Sequence, residues 1–504
     1  MPAAWIPRPV RRAFSIRTLG FAAAYTWIFT VYLCCSPQAI DDSYVALFPL
    51  FYICSFASTV LVLLVFAVSA RHPEFGRFFD RPVVWRAFCF AGASSAMFGT
   101  VWLAVAWTQG TLSLAGIFFI GLTTGFGQAA LFLPWGRVLA DSDHAIEEIC
   151  GAFLIASLLV CVQAAFSSLA GMLFVAVLPL ASAYVLSTRF SPSGGESSHI
   201  VNAEALPSGE DDLPDVRETN ELLARTCAGA LVIGIVMGAL RYLTGEDASF
   251  NNLYAVSKIA ASVICCLVVF FQERREHFEF SRIYRSIILL MGLGIVMHPF
   301  FDSGLLPVVV SRVGVSCFEA FMWVVAIGFA KCFRVPPFRS VGLCWASLTG
   351  GLCAGAAFGY FFADARLVGL VPTGCLALVA LFALLLVLTF VLTERDLISL
   401  EGWGVFSRRR PEGLSASQET SVSSMDRARS AMAGRAHELA QKYRLSDREE
   451  EVLALLALGR SRSQIKEELY LSLGTVNTHI SHLYQKLGVH GKDELLAYFE
   501  EYDE

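Results

Sequence analysis

Long apolar stretches, each about the length of a membrane-spanning helix, fill the chain up to residue 392. Crossing the hydrocarbon core of a bilayer takes about 20 predominantly apolar residues in a helix. The pattern predicts twelve such helices, near residues 14–35, 44–69, 83–107, 111–135, 146–169, 171–188, 222–243, 250–271, 282–300, 306–332, 340–362 and 366–392. Because only Ser167, Ser168 and Gly171 separate the fifth and sixth stretches, eleven helices are the alternative.

The composition supports a membrane protein. Hydrophobic residues make up 56% of the 504 residues and charged residues 16%, with a mean hydropathy of +0.59. These values exclude an ordinary soluble globular protein. The 14 cysteines show no metal-ligand spacing, and pairs such as Cys265 and Cys266 lie in apolar stretches. We therefore expect structural thiols in a reduced or lipid environment.

Positive charges alternate between the loops that join the predicted helices. Alternate loops near 36–43, 108–110, 167–171 and 300–305 contain no Lys or Arg, and only Arg241 and Arg366 lie near that side. The basic loops carry Arg71, Arg77, Arg81, Arg137, Arg189, Arg217, Arg274, Arg275, Arg282, Lys331, Arg334 and Arg339. Since an excess of Lys and Arg marks cytoplasmic loops, we predict a multi-pass protein of the cell membrane with both termini in the cytoplasm. This arrangement requires an even number of helices.

A polar segment divides the predicted helices into six plus six. Residues 190–220 are acidic and rich in Ser, Gly and Pro, which predicts a disordered cytoplasmic linker. Two six-helix halves with a long central loop resemble the layout of the major facilitator transporters. Gly76, Asp80 and Arg81 lie where that family carries a loop signature, but their spacing differs. No functional residue is therefore assigned from this resemblance.

Three ionisable residues lie inside predicted helices. Each costs roughly 2.5–3.5 kcal/mol to insert, so each requires a reason. Arg312 and Glu319 are seven residues apart in the tenth stretch and share one face, while Lys258 lies in the eighth. One hypothesis is that all three line a cavity for a polar or anionic ligand. The alternative is an internal ion pair that fixes helix packing, and the sequence does not decide between them.

A charged module follows the apolar region, at residues 446–499. Ser446 and Glu449 form the pattern of a capping box at the start of a helix that Gly459 ends. A short helix from Ser461 follows, and Ser472 is a natural N-cap for a third helix over 473–487. A fourth helix is predicted over 492–498.

The third helix has two distinct faces. Its apolar stripe comprises Val476, Ile480, Leu483 and Leu487, at helical spacing. The opposite face carries Thr478, Ser481, His482 and Gln485, with Asn477 at its edge. A face of small, hydrogen-bonding, non-acidic side chains suits the base edges of a DNA major groove, which admits one helix.

The module resembles the LuxR-type helix-turn-helix domain of bacterial regulators over about 60 residues. The matching positions are Leu445, Arg448, Glu449, Val452, Leu453, Leu456, Gly459, Ile465, Leu469, Ser472, Thr475, Val476, His479, Leu483, Lys486, Leu487, Gly488 and Val489. The resemblance implies that 472–487 is the recognition helix and 461–470 the supporting helix. It places base reading on Asn477, Thr478 and Ser481, and Lys486 near a phosphate. The family usually has a small apolar residue where this chain has Lys466, which offers a further phosphate contact.

Segment 441–504 is net acidic, which works against DNA binding, since affinity depends on neutralising phosphates. An interaction module that binds another protein is therefore an alternative. The acidic residues, however, lie on the first helix and the tail and not on the recognition face. We expect weak affinity per copy, offset by a homodimer that reads half-sites about one DNA turn apart.

Taken together, the sequence predicts an all-α protein, namely a polytopic membrane helix bundle followed by a four-helix DNA-binding domain. The predicted divisions are a first half (1–189), a linker (190–220), a second half (221–393), a second linker (394–440) and the LuxR-type domain (441–504). We expect a membrane-bound transcriptional regulator whose partners are double-stranded DNA, the lipid bilayer and an unknown small-molecule or membrane signal. A transporter with an appended regulatory domain is the alternative. No catalytic constellation, metal site or cofactor is expected.

Overall fold

Within the residues that the structure describes, twelve apolar helices form the first part of the protein. The computed structural model describes residues 15–34, 48–164, 168–190, 216–243, 251–272, 280–297, 300, 305–333, 335–364, 373–387, 439–457, 465, 469, 473–487 and 489. The helices are α1 (Ile16–Phe29), α2 (Phe48–Ser69), α3 (Pro82–Thr108), α4 (Leu114–Ala140), α5 (Ala145–Ala164), α6 (Ser168–Arg189), α7 (Val216–Leu243), α8 (Asn251–Gln272), α9 (Phe280–Met297), α10 (Leu305–Cys332), α11 (Pro337–Asp364) and α12 (Thr373–Leu386). A π-helical turn (Thr30–Cys34) extends α1, and a short helix (Pro73–Phe79) precedes α3.

Each of these helices overlaps one predicted stretch. Eight of them, α2 to α7, α10 and α11, are long and apolar enough within their described residues to cross a membrane. The protein is therefore a multi-pass membrane protein, as predicted. A Cβ atom on Gly171 of α6 would lie 2.6 Å from Nε2 of Gln163 on α5, so the chain reverses direction between these helices. This reversal favours two helices over the single fused helix of the eleven-helix alternative.

The predicted linker over 190–220 is too long at its C-terminal end. Helix α7 begins at Val216, so residues 216–220 are helical and not part of a disordered segment. Arg339 donates a hydrogen bond to Asn220 (Nη2–Oδ1 3.0 Å), and this tertiary contact supports the early start of the helix. Residues 191–215 lie outside the described part of the chain, as do 388–438, which contain most of the second predicted linker.

The helices repeat one pattern of neighbours with an offset of six. In the first half the pairs α1–α5, α1–α6, α2–α4, α3–α4 and α3–α6 are in contact. In the second half the corresponding pairs are α7–α11, α7–α12, α8–α10, α9–α10 and α9–α12. The halves meet through α2–α11 and its counterpart α5–α8, and through α4, α5, α10 and α11. The bundle is thus built from two similarly arranged six-helix halves.

Glycines permit the closest helix contacts. In α11, a Cβ atom on Gly351 would lie 2.2 Å from the Leu231 carbonyl oxygen of α7, and one on Gly355 equally close to that of Ile235. On α4, a Cβ atom on Gly125 would lie 2.2 Å from the Ser55 carbonyl oxygen of α2. Only a residue without a side chain lets backbones approach this closely, which is common between membrane helices.

Polar contacts tie several of the basic loops together at one end of the bundle. They are Arg137 with Asp80 (Nη2–Oδ1 2.5 Å), Ser15 with Glu148 (Oγ–Oε1 2.9 Å), Lys331 with the Ser142 carbonyl, and Arg339 with Asn220. The loops that follow α2, α4 and α10 and the first turns of α1, α7 and α11 therefore lie on the same side. This grouping is the one that the alternation of charges predicts. That this side faces the cytoplasm stays a prediction.

The chain divides into two compact units, Met1–Arg408 and Arg409–Glu504. In the second unit, α13 (Asp447–Ala457) and α14 (Leu473–Leu487) are in contact. A short helical segment at 439–442 precedes α13 and ends in a turn in which Arg444 has a φ of 53°. The Leu445 N–H donates a hydrogen bond to the Ala440 carbonyl oxygen (N–O 2.9 Å), as in a Schellman motif. The predicted fourth helix at 492–498 lies outside the described residues.

Candidate DNA-binding face and buried ion pair

The predicted capping box at the start of α13 is present. The Ser446 N–H donates to Oε2 of Glu449 (2.8 Å), and the Glu449 N–H donates to Oγ of Ser446 (3.4 Å). Two of the helix's otherwise unpaired donors are therefore satisfied by neighbouring side chains. This cap fixes where α13 begins and so which of its residues face α14.

A small apolar core joins the two helices of the C-terminal unit. From α14 it takes Ile480, Leu483 and Leu487, the described members of the predicted stripe. Ile465, on the predicted supporting helix, is also buried there. From α13 the core takes Val452, Leu453 and Leu456. Because one face of α14 is buried in this core, its opposite face points away from the domain.

That opposite face carries the predicted DNA-binding side chains. Thr475, Asn477, Thr478, Ser481, His482 and Gln485 are all exposed. Asn477, predicted at the edge, is therefore accessible together with the others. The other two predicted DNA-binding residues, Ser472 and Lys466, lie outside the described residues.

Lys486 is exposed on α14 but has a partner within the domain. Its Nζ lies 2.6 Å from Oε2 of Glu449, whose side chain is only 5% exposed, and 3.4 Å from the Arg444 carbonyl oxygen. Burial alone raises the pKa of Glu449, but the hydrogen bonds from Lys486 and Ser446 outweigh it and leave the pKa below its ordinary value. Both residues were identified from the sequence, but their pairing was not predicted. A phosphate contact by Lys486 stays a prediction.

In the membrane region, two of the three predicted ionisable residues meet. Nζ of Lys258 on α8 lies 2.6 Å from Oε2 of Glu319 on α10, and the two side chains are 2% and 15% exposed. The same ammonium lies 4.2 Å from the ring centroid of Phe29 on α1, a cation–π distance. Arg312 is half-buried two turns before Glu319 on α10. Sequence alone had not placed the eighth helix against the tenth.

Aromatic rings pack around the same level of the bundle. The Trp323 indole N–H on α10 donates to the Tyr25 hydroxyl on α1. The rings of Tyr25 and Phe153 have centroids 4.4 Å apart, and those of Trp323 and Trp345 are 5.2 Å apart. Within the described part of the chain, the buried indole N–H of Trp345 has no hydrogen-bond partner. The ion pair therefore lies near an apolar, aromatic environment that contains an unused donor.

The first half holds a neutral counterpart of this ion pair. Helices α2 and α4 correspond to α8 and α10 in the repeated pattern, and they are joined by hydrogen bonds between uncharged groups. These bonds are Thr59 with Gln128 (Oγ1–Oε1 3.3 Å) and Ser55 with Thr124 (3.0 Å). Tyr32, in the π-helical turn after α1, bonds to the same Ser55 hydroxyl (2.6 Å). Sequence reasoning missed this cluster because Ser and Thr are common in apolar helices. The charged pair is thus a feature of the second half.

The residues that the structure describes include no group of three or more His, Cys, Asp or Glu side chains arranged to hold a metal ion.

Comparison with known proteins concerns mainly the C-terminal domain. Residues 443–499 match the family described as bacterial regulatory proteins, luxR family. The chain carries a LuxR-type helix-turn-helix domain. The oxygen regulatory protein NreC of Staphylococcus aureus, in strains JH9 and USA300 among others, is 44% identical over 54 residues. These residues are 11% of this chain and 25% of NreC, so the chain spans about a quarter of the length of these relatives.

A solved structure is similar over part of this chain. It is the crystal structure of a Major Facilitator Superfamily transporter, FucP, in the outward conformation. The match covers 76% of this chain and 98% of that chain, with 14% identity and a TM-score of 0.45.

Proposed function

We propose that this protein is a membrane-bound one-component transcriptional regulator, in which the membrane region senses a signal and the LuxR-type domain binds promoter DNA. The observation that carries the proposal is the exposed polar face of α14 in a domain of this family. Asn477, Thr478 and Ser481 are exposed side chains that can hydrogen-bond base edges. Asparagine pairs in a bidentate manner with adenine, and Ser and Thr contact several bases.

We further propose that the regulator binds DNA as a homodimer. The net acidic segment 441–504 limits phosphate neutralisation, so one copy alone is expected to bind weakly. Two paired domains read half-sites about one helical turn of DNA apart, and this pairing offsets the weak binding of each.

In this proposal the signal acts near the Lys258–Glu319 pair. A ligand with a charged group can compete for one member of the pair, and the Trp345 indole N–H offers a donor for a polar ligand atom. Arg312, on α10, adds a second positive charge to that of Lys258 on α8. A ligand shifts a conformational equilibrium only if it binds the two states unequally. The helices that carry the pair, α8 and α10, contact the first half of the bundle. A ligand that breaks the pair can therefore change how the two halves pack.

The proposal is tested by genome-wide crosslinking of the intact protein to chromosomal DNA. The test variant replaces Asn477, Thr478 and Ser481 by alanine. Base contacts contribute about 1–3 kcal/mol each, so discrete peaks should collapse in this variant. A matched control replaces Arg448 and Glu451, which form an exposed ion pair on α13, and should keep the peaks. Peaks that persist in the test variant contradict the assignment of the face, and their absence in all proteins contradicts DNA binding.

A transporter with a regulatory domain is the second candidate, and the buried ion pair between transmembrane helices favours it. Charges inside a membrane bundle often mark a substrate or ion pathway. Accumulation of a substrate in vesicles, abolished by Glu319→Gln or Arg312→Ala, would support this function. The third candidate is a terminal module that binds another protein. Binding of the module to DNA with the salt dependence of phosphate contacts would contradict it.

A further inference from the structure

An aromatic cluster holds the short helix Pro73–Phe79 against both halves of the bundle. The Phe79 ring is 5% exposed, and its centroid lies 5.4 Å from that of Phe66 on α2 and 5.4 Å from that of Phe338 on α11. Phe75, one turn earlier, also packs against the Phe66 ring, with the centroids 5.4 Å apart. Since α11 belongs to the second half, the short helix of the first half contacts both halves through its aromatic side.

The rest of the short helix is exposed and carries positive charge. Phe78 is 48% exposed, and Arg77 and Glu74 are exposed on the same helix. Arg71 in the turn before the helix and Arg81 in the turn after it are exposed as well. We call Arg71, Arg77, Phe78 and Arg81 the basic surface. An exposed aromatic ring among arginines is typical of a helix that lies in the boundary between lipid headgroups and acyl chains.

The acidic residues of this segment leave the basic surface positively charged. Asp80 already pairs with Arg137 on α4 (Oδ1–Nη2 2.5 Å), so Glu74 remains as the other carboxylate within residues 71–81. Among the residues that the structure describes, no ion-pair partner is found for the arginines of the basic surface. The guanidinium of arginine has a planar fork of N–H donors that matches the oxygens of a phosphate group. The surface is therefore suited to binding an anion.

The basic surface lies between two helices that are long and apolar enough to cross a membrane, since α2 ends at Ser69 and α3 begins at Pro82. The 27 residues of α3 span about 40 Å at a rise of about 1.5 Å per residue, whereas the hydrocarbon core of a bilayer is about 30 Å thick. The ends of α3 therefore reach into the headgroup layer. The short turn and helix that precede it lie at the same level.

We propose that the basic surface binds the headgroups of anionic phospholipids, with phosphatidylglycerol as the model ligand. The charge of the arginines is complementary to a headgroup with a net negative charge, and basic segments next to membrane helices attract such lipids. The exposed Phe78 ring favours lipid over a water-soluble anion, because it gains from contact with acyl chains and glycerol and gains nothing in water.

The consequence for signalling rests on the proposed function. The Phe78 ring contacts that of Phe79 (centroids 5.5 Å apart), and Phe79 packs against Phe338 of the second half. A lipid bound at the basic surface thus acts on a contact between the halves, which makes lipid headgroup charge a class of signal for the regulator. Lipid binding itself is measured without DNA, so its failure is distinct from failure of the regulator proposal.

The test uses the full-length protein in a neutral detergent, mixed with equal amounts of dioleoyl-phosphatidylglycerol and dioleoyl-phosphatidylcholine. The two lipids share their acyl chains, so a preference between them reports headgroup charge. Native mass spectrometry of the unsubstituted protein should find bound phosphatidylglycerol in excess. The excess should fall as the concentration of ammonium acetate rises, because salt screens exposed charges. Equal binding of the two lipids overturns the proposal, and this result requires no variant to fold.

Substitutions locate the preference at the basic surface. Each arginine near an anionic surface contributes about 1 kcal/mol, a factor of about five in affinity. Arg77→Gln should therefore lower the preference about fivefold, and Arg77→Gln combined with Arg81→Gln about 25-fold. Replacing both by lysine should keep most of it, since the charge is retained. The matched control is Arg225→Gln on α7, which removes an exposed arginine that is already paired with Glu221 (Nη2–Oε1 2.5 Å).

Three outcomes of these substitutions overturn the proposal. The first is a double glutamine variant that retains the full preference for phosphatidylglycerol. The second is an equal loss in Arg77→Gln and Arg225→Gln, which would show that only the total charge of the protein matters. The third is a double lysine variant that loses the preference as fully as the double glutamine variant, which would show that positive charge is not the cause.

Discussion

Replacing Glu449 by alanine is expected to destabilise the C-terminal domain by about 2 kcal/mol. The substitution removes one arm of the capping box, and the loss of a cap costs about 1 kcal/mol. It also removes the 2.6 Å ion pair with Lys486, whose side chain is 40% exposed while that of Glu449 is 5% exposed. A pair that is half in water contributes at the upper end of the 0.2–1 kcal/mol of exposed pairs and far less than a buried pair, so we take about 1 kcal/mol.

Thermal unfolding of a fragment spanning residues 409–504, the second compact unit, measures this effect. In a domain of this size each kcal/mol shifts the midpoint by roughly 4–8 °C, so a decrease of about 8–16 °C is expected. Glu451→Ala is the matched control, because it removes the same charge from the same helix but from an exposed pair with Arg448. Its expected effect is within about 0.5 kcal/mol. Equal shifts in the two variants would refute the reasoning.

Glu449→Gln separates the two contributions and adds a pH dependence. Glutamine keeps the capping hydrogen bond and loses only the charge. Since the pKa of Glu449 is lowered in the folded domain, its carboxylate stabilises the fold at pH values above the ordinary pKa of glutamate. This contribution disappears as the pH falls through the lowered folded pKa. The stability difference between the wild-type fragment and Glu449→Gln should therefore be constant near neutral pH and vanish under acid conditions; a constant difference down to acid pH would contradict the ion pair.

Two further predictions concern the membrane region and are measured by thermal unfolding of the purified protein in detergent. Gly351→Ala should destabilise the bundle by about 1–3 kcal/mol through overpacking against the Leu231 backbone, whereas Gly350→Ala, whose Cβ atom meets nothing closer than 3.7 Å, should be tolerated. Equal melting temperatures of the two variants would contradict the close α7–α11 contact. Lys258→Met should destabilise by about 3–5 kcal/mol, because it leaves Glu319 charged and unpaired, and the double variant Lys258→Met with Glu319→Leu should recover most of that loss. A double variant as unstable as the sum of its single substitutions would show that the pair is not the cause.

The local pattern of apolar and polar residues was sufficient to predict much of the structure of this protein. The apolar stretches predict the helices of the membrane region because spanning length and hydrophobicity are properties of contiguous residues. The capping box at Ser446 depends on groups only three residues apart, so it can be predicted from the sequence. It is present in the structure. The apolar stripe through Ile480, Leu483 and Leu487 similarly determines which side of α14 is buried, and hence that the predicted DNA-binding side chains are exposed.

Only the tertiary structure decided which distant groups are partners. Lys258 and Glu319 are 61 residues apart, and Glu449 and Lys486 are 37 residues apart. Asn220, near the start of α7, likewise accepts a hydrogen bond from a distant residue, Arg339. Helical periodicity fixes the face on which a side chain lies, but the neighbour of that face depends on the packing of the whole bundle. Charge pairs between helices are therefore set by the fold.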